Sequence, residues 1–310
     1  MENLATDAER SRRTGSVRRG IACLLLSAFG FAVMAMFVRM ADGCGGEPLP
    51  AVEKAFFRNL VAAAIAGSAF LRRWRAHRAP VLDAVPRGWR NWRDLILRSA
   101  LGTGGIFLNF YAISHIPVGD AMALNKTAPF FTLMLSWMLL DERVSARQGL
   151  CVAGAFAGAM LVVKPGIAGA LTFPAAVGLA SGFCAGAAYT FLHKLGRSGV
   201  DGAFIILFFS VFSCAACIPF ACTFRHITAP QLWTLLGAGA GAALGQFGIT
   251  WAYRFAEPRE IAVYDYSGIA FAALLGFLAF GQVPDLMSVA GIAVIVCMAL
   301  LLHRRNAAKP

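Results

Sequence analysis

The sequence predicts an all-α integral membrane protein of ten transmembrane helices, arranged as two inverted five-helix repeats. Three observations predict it: a composition too apolar for a soluble domain, apolar runs of membrane-spanning length, and an internal echo at constant offset. Hydrophobic residues make up 58% of the 310 positions and charged residues only 14%, whereas charged residues approach a quarter of a soluble chain. Mean hydropathy is +0.66. The apolar residues come in runs of about 20, the length a helix needs to cross a ~30 Å hydrocarbon core at 1.5 Å per residue.

The echo divides the chain. Gly105, Tyr111, Ala112, Asn125, Phe131, Leu135 and Glu142 return 140 positions later as Gly245, Trp251, Ala252, Asp265, Phe271, Leu275 and Gln282. Ser27, Phe29, Phe37 and Arg39 return at an offset of 154 as Ser181, Phe183, Phe191 and His193. Both offsets imply one duplication with a shorter connector in the second half. The repeats are expected over residues 20–165 and 172–302, between a basic arm (1–19) and a tail (303–310).

Arg10, Arg12, Arg13, Arg18 and Arg19 stand among polar residues in the arm, a composition that suits disorder. A cleaved signal peptide is excluded, because the run Gly20–Met40 is too long for its apolar region and shows no clear cleavage site. That run is the first predicted span. Further helices are predicted at 51–71, 94–115, 119–140, 146–163, 174–194, 202–222, 230–253, 260–280 and 286–302. Connectors such as Ser114–Gly119 and Glu257–Glu260 are short and join antiparallel neighbours. The longest, Arg72–Arg93, is basic and carries Trp74, Trp89 and Trp92, which suit headgroup depth.

Positive residues sort by side of membrane. With the amino terminus inside, 22 Lys and Arg fall on inner segments, against Lys164 and Arg225 outside. Positive loops stay cytoplasmic, so both termini are expected there. The alternation also accounts for the +12 net charge without a nucleic-acid surface, which would gather its cations into one patch. Seven of the eight cysteines lie in or at the end of apolar runs and imply no disulfide framework. Cys214-x-x-Cys217 lacks His partners within its apolar helix and is read as packing. Five spans per half make the second half enter from the opposite side. Such inverted repeats place a substrate site near the midplane between them.

Asp120-Ala121-Met122-Ala123-Leu124-Asn125, Ala128-Pro129-Phe130-Phe131 and Leu139-Leu140-Asp141-Glu142-Arg143-Val144, followed by a Gly-rich apolar helix, resemble the first EamA repeat of the drug/metabolite transporter superfamily. The second copy departs from it: Gly268-Ile269-Ala270 lacks the proline, and Gln282 replaces the glutamate. The resemblance spans about residues 20 to 302. It implies ten helices, cytoplasmic termini, a bacterial-type inner membrane and export of small organic metabolites by alternating access. It does not imply which metabolite.

Charges within a bilayer cost about 2.5–3.5 kcal/mol each on insertion scales, so those that persist face a cavity or a partner. Arg58, Lys126 and Asp265 each lie about seven residues, or ~10 Å, inside their predicted helices. The depths allow a midplane cluster that binds a zwitterion or anion. A purely structural ion pair is the alternative, and Lys126 could also reach the interface along its own stem. Asn125, Pro129, Thr132 and Ser136 recur at helical spacing and form one polar stripe. Pro129 cannot donate to the Asn125 carbonyl, so a bend is expected there. Asn109 and Gln246 are lone amides inside apolar helices, and Tyr264 and Tyr266 flank Asp265. Tyr111 and Trp251 are symmetry mates near opposite faces, read as belt aromatics first and gates second. Gly237, Gly241 and Gly245 share a face that permits close helix contact.

The substrate-binding candidates are therefore Arg58, Asn109, Asn125, Lys126, Gln246, Tyr264, Asp265 and Tyr266, with Tyr111, Pro129 and Trp251 as gates. No metal set, cofactor motif, nucleophile–base pair or acidic pair accompanies them. An integral-membrane enzyme and a non-transporting scaffold are the rival classes. Coupling to a proton or a counter-substrate, and the oligomeric state, stay open.

Overall fold

The computed structural model describes residues 2–77, 85–140, 146–163, 172–255 and 262–307. Apolar runs bounded by polar connectors fold into α1 (Glu2–Met40), α2 (Ala51–His77), α3 (Trp89–His115), α4 (Val118–Asn125), α5 (Ala128–Leu140) and α6 (Ala146–Val163). The second half supplies α7 (Thr172–Arg197), α8 (Gly202–Cys217), α9 (Ala229–Phe255), α10 (Ser267–Phe280) and α11 (Leu286–Ala307). Single 3₁₀ segments follow α8 at Ile218–Thr223 and precede α10 at Ala262–Tyr266. Among the described residues, six helices are long and apolar enough to cross a membrane, and three shorter apolar helices accompany them. The chain is thus an all-α, multi-pass membrane protein.

Local chemistry explains the helix ends. Asp201 caps α8 by accepting from the backbone N–H groups of Ala203 (2.9 Å) and Phe204 (3.0 Å), donors the helix cannot itself satisfy. Gly281 closes α10 in the left-handed region, at φ 64°, where only glycine sits without strain.

Two expectations change. The basic arm is helix, continuous with the first span from Glu2. Ala, Glu and Arg are strong helix formers, and no proline occurs before Pro48. The expected fourth span, 119–140, is divided between α4 and α5 at Lys126 and Thr127. The motif Asp141–Val144, the connector Glu257–Glu260 and Lys164 lie outside the described residues.

Helices of the first half lie along helices of the second: α1 on α9, α3 on α7, α2 on α8 and α6 on α11. The α1–α9 crossing brings backbone against backbone. A Cβ on Gly30 would come within 2.7 Å of the Gly245 nitrogen, and one on Gly241 within 2.8 Å of the Met34 nitrogen. Ser27 Oγ uses this proximity to donate to the Gly245 carbonyl at 2.6 Å. The glycine face expected on the eighth span is this contact. Between α2 and α8, the Cys214 and Cys217 thiols reach the Phe56 and Val52 carbonyls at 3.8 and 3.5 Å, which makes the Cys-x-x-Cys pair part of the packing.

The end of the bundle where α1 finishes and α2 begins is tied by polar bonds. Lys54, fully buried, lies 2.6 Å from the Asp42 carboxylate and donates to Ser114 Oγ at 2.6 Å. Arg39 donates to the Ile113 carbonyl at 2.7 Å. Gln282, in place of the glutamate, accepts from the Val118 N–H at 3.0 Å.

Candidate functional site

The interruption between α4 and α5 sets the site. Pro129 has no N–H for the Asn125 carbonyl, and its ring crowds that carbonyl in a continuous helix. The chain gives way just before it. Lys126, at φ −72° and ψ 4°, ends α4 with its N–H on the Met122 carbonyl. Thr127 Oγ1 donates to the Leu124 carbonyl at 2.6 Å, while the Thr127 carbonyl accepts from Phe130 N–H at 3.0 Å and opens α5. A Cβ on Gly182 of α7 would come within 2.5 Å of Thr127 Oγ1, so the interruption is seated directly on α7.

Asp265 occupies a second interruption, the 3₁₀ segment that precedes α10. Lys126 Nζ meets Asp265 Oδ2 at 2.5 Å. The two side chains keep only 10% and 19% of their exposure, and Asp265 Oδ1 has no hydrogen-bond partner. Charges at this depth keep their ionised form only with compensation, and removing one member of such a pair typically costs about 3–5 kcal/mol.

The pair borders a cavity of about 120 Å³ between the halves. Of the candidates, Arg58, Asn109, Asn125, Lys126, Gln246 and Asp265 line it. Arg58 is buried and its Nη1 donates to Asn59 Oδ1 at 2.6 Å, but its Nε has no partner. Asn125 Nδ2 donates to Ser181 Oγ at 3.1 Å, and Asn109 Oδ1 is buried without a partner. Residues related by the sequence offsets line it together: Ile106 and Gln246, Asn109 and Ile249, Asn125 and Asp265 at 140, Phe31 and Ala185, Met34 and Ala188 at 154.

The remaining candidates lie elsewhere. Tyr266 is packed in the hydrophobic core and Tyr264 is 40% exposed. At three residues per turn, neighbours in a 3₁₀ segment diverge by ~120°, so an inward Asp265 sends both tyrosines away. Tyr111 stacks on His115 at 4.1 Å, and Trp251 is half-exposed beside Phe247. Neither lines the cavity, nor does Pro129.

Arg98, Tyr189 and Phe209 line the cavity unforeseen. Arg98 falls in the first turns of the predicted third helix, 94–115, close behind the basic connector, where a cation also suits the inner membrane surface. In the structure α3 begins at Trp89, and Arg98 is buried with its guanidinium 3.9 Å from the centre of the Phe209 ring. Its Nε and Nη1 have no hydrogen-bond partner. The long apolar stretch after it was the signal, because a helix extended by one turn carries Arg98 inward.

Comparison with known proteins agrees with this architecture. Residues 18–164 match the EamA-like transporter family. The chain is 30% identical to the pseudopaline exporter CntI of Pseudomonas aeruginosa, over 92% of this chain and 96% of that protein. It is 25% identical to a riboflavin transporter of Brucella anthropi, over 68% and 76%. It is also 25% identical to human solute carrier family 35 member G1, over 94% and 80%. A protein of known crystal structure, 20% identical, superposes with a TM-score of 0.56 over 90% of this chain and 98% of its own, a likeness of fold alone.

Proposed function

Since the chain belongs to the EamA-like transporter family, whose relatives here move small molecules across membranes, we propose that it exports a small polar organic solute, amino-acid-like or zwitterionic, by alternating access. The observation that carries this reading is the cavity between the halves, in which buried charges and the Asn109 amide keep unpartnered polar atoms. A scaffold would have no use for such atoms, which cost stability unless a ligand meets them. Arg58, Asn109, Asn125, Lys126, Gln246 and Asp265 are assigned to the solute.

The inverted-repeat arrangement is supported by the packing. Exchanging the repeats turns the α1–α9 contact into α7–α3 and returns the α2–α8 and α6–α11 contacts to themselves. The cavity is lined by offset-related pairs, as a site on a pseudo-two-fold axis requires. The polar ties among Lys54, Asp42 and Ser114 serve as the closure at one end. The positive residues favour a bacterial inner membrane with both termini cytoplasmic. The pseudopaline and riboflavin relatives handle different cargoes, so neither cargo is assigned here.

The test is an untargeted comparison of metabolites released by cells that contain the protein, lack it, or contain Asp265→Asn. Release of a solute only with the intact chain supports export. Identical profiles in all three, at equal protein levels, would overturn it.

A further inference from the structure

We infer that the transported solute carries at least two acid groups, and that Arg58 and Arg98 together form the anion-binding half of the site. The inference rests on the transport reading and sharpens it from a polar or zwitterionic solute to a polycarboxylate-like one.

The charge of the cavity wall is the first ground. Its lining holds three cations, Arg58, Arg98 and Lys126, against one carboxylate, Asp265. Asp265 is already engaged by Lys126 at 2.5 Å. Among the described residues, no carboxylate lies within ion-pair distance of Arg58 or Arg98. A zwitterion brings no net charge, so its carboxylate can meet one guanidinium but the wall keeps its excess of two positive charges, whereas two carboxylates match both.

The second ground is the state of the guanidiniums. Each presents five donors in a planar fork suited to bidentate carboxylate binding. Arg58 uses one nitrogen on Asn59 and leaves Nε unmet, and Arg98 leaves both Nε and Nη1 unmet. Phe209 lies against Arg98 at 3.9 Å. A ring face attracts the cation and holds it in position but accepts no strong hydrogen bond from its edge. Two arginines kept solely for packing would be expected to find acceptors among the neighbouring backbone and side chains. Here Arg58 comes from α2 and Arg98 from α3, and both line the same cavity.

The fork also predicts selectivity by shape. Lysine in place of arginine keeps the charge but presents a point donor. Affinity for a polycarboxylate should therefore fall in two steps, moderately on Arg→Lys and further on Arg→Gln.

The experiment is thermal unfolding of the purified full-length protein in detergent, titrated with tricarballylate, glutarate, alanine and spermidine. A ligand that binds only the folded state raises the unfolding temperature saturably. Tricarballylate and glutarate should do so, and at lower concentration than alanine or spermidine. Arg58→Gln and Arg98→Gln should each raise the half-saturating concentration about tenfold or more, the scale of a lost hydrogen bond to a charged group. Arg90→Gln, exposed on α3, should leave it unchanged.

Should the Gln variants fail to fold, Arg58→Lys and Arg98→Lys carry the test, with a rise of several-fold expected. The inference is overturned if neither polycarboxylate stabilises the protein, if alanine or spermidine acts at lower concentration, or if the folded arginine variants all bind as the parent does. Its failure is distinct from that of transport. Release by cells of a neutral or cationic solute removes this inference and leaves export standing. Arginine-dependent binding without release of any solute removes export and leaves the anion site.

Discussion

At the scale of the residue, the pair of Lys126 and Asp265 makes the sharpest prediction. Lys126→Met strands a carboxylate and Asp265→Asn strands an ammonium, so each should lower folded yield and unfolding temperature, by roughly 3–5 kcal/mol for a buried pair. The double variant should recover yield. Transport then separates two roles: a structural pair leaves the double variant active, and a solute site leaves it folded but inactive. Single variants with parental yield and transport would remove both roles. This pair was legible because a charge inside an apolar run is expensive wherever it stands. Arg98 was not, because it sits at the edge of its run, where a cation also fits a loop. Tyr264 and Tyr266 fall outside the cavity lining because their placement depends on the winding of one short segment, which composition does not specify.

At the scale of the element, proline and threonine divide the labour at the α4–α5 interruption. Pro129 falls in the first turn of α5, where helix donors are unsatisfied in any case, so its missing N–H costs little. Pro129→Ala should change stability by less than about 1 kcal/mol, and a larger gain would mean that α4 and α5 had fused. Thr127→Val keeps the shape and deletes the bond to the Leu124 carbonyl, a loss of about 1 kcal/mol visible as a lower unfolding temperature. Gly241→Leu meets backbone rather than a movable side chain at Met34. It should abolish monodisperse protein on size exclusion, and a normal yield would show that α1 and α9 do not cross so closely. Helix positions were legible within a few residues, since run length and polar connectors delimit them. The interruption was read as a bend at Pro129, because a proline announces its effect but not how many preceding residues give way.

At the scale of the molecule, the all-α membrane class was legible from composition and run length alone, and the positions paired by the sequence offsets line one cavity together. Orientation makes a prediction of the same reach. A reporter active only outside the cytoplasm should be silent at Pro310 and active in the Gly45 loop; the reverse would invert the topology, and activity at both would change the number of spans. The two interruptions have one more consequence. Lys126 stands at the carboxyl end of α4 and Asp265 just before the amino end of α10. Aligned peptide dipoles leave partial negative charge at the first end and partial positive charge at the second. Each member of the ion pair thus has a second counter-charge, built into backbone and independent of its partner. The backbone thus offsets part of the penalty when the two side chains separate, about 0.3–1 kcal/mol at each helix end against the several kcal/mol of a stranded charge, so this contact between the halves opens at a lower cost than a pair held by its own charges alone.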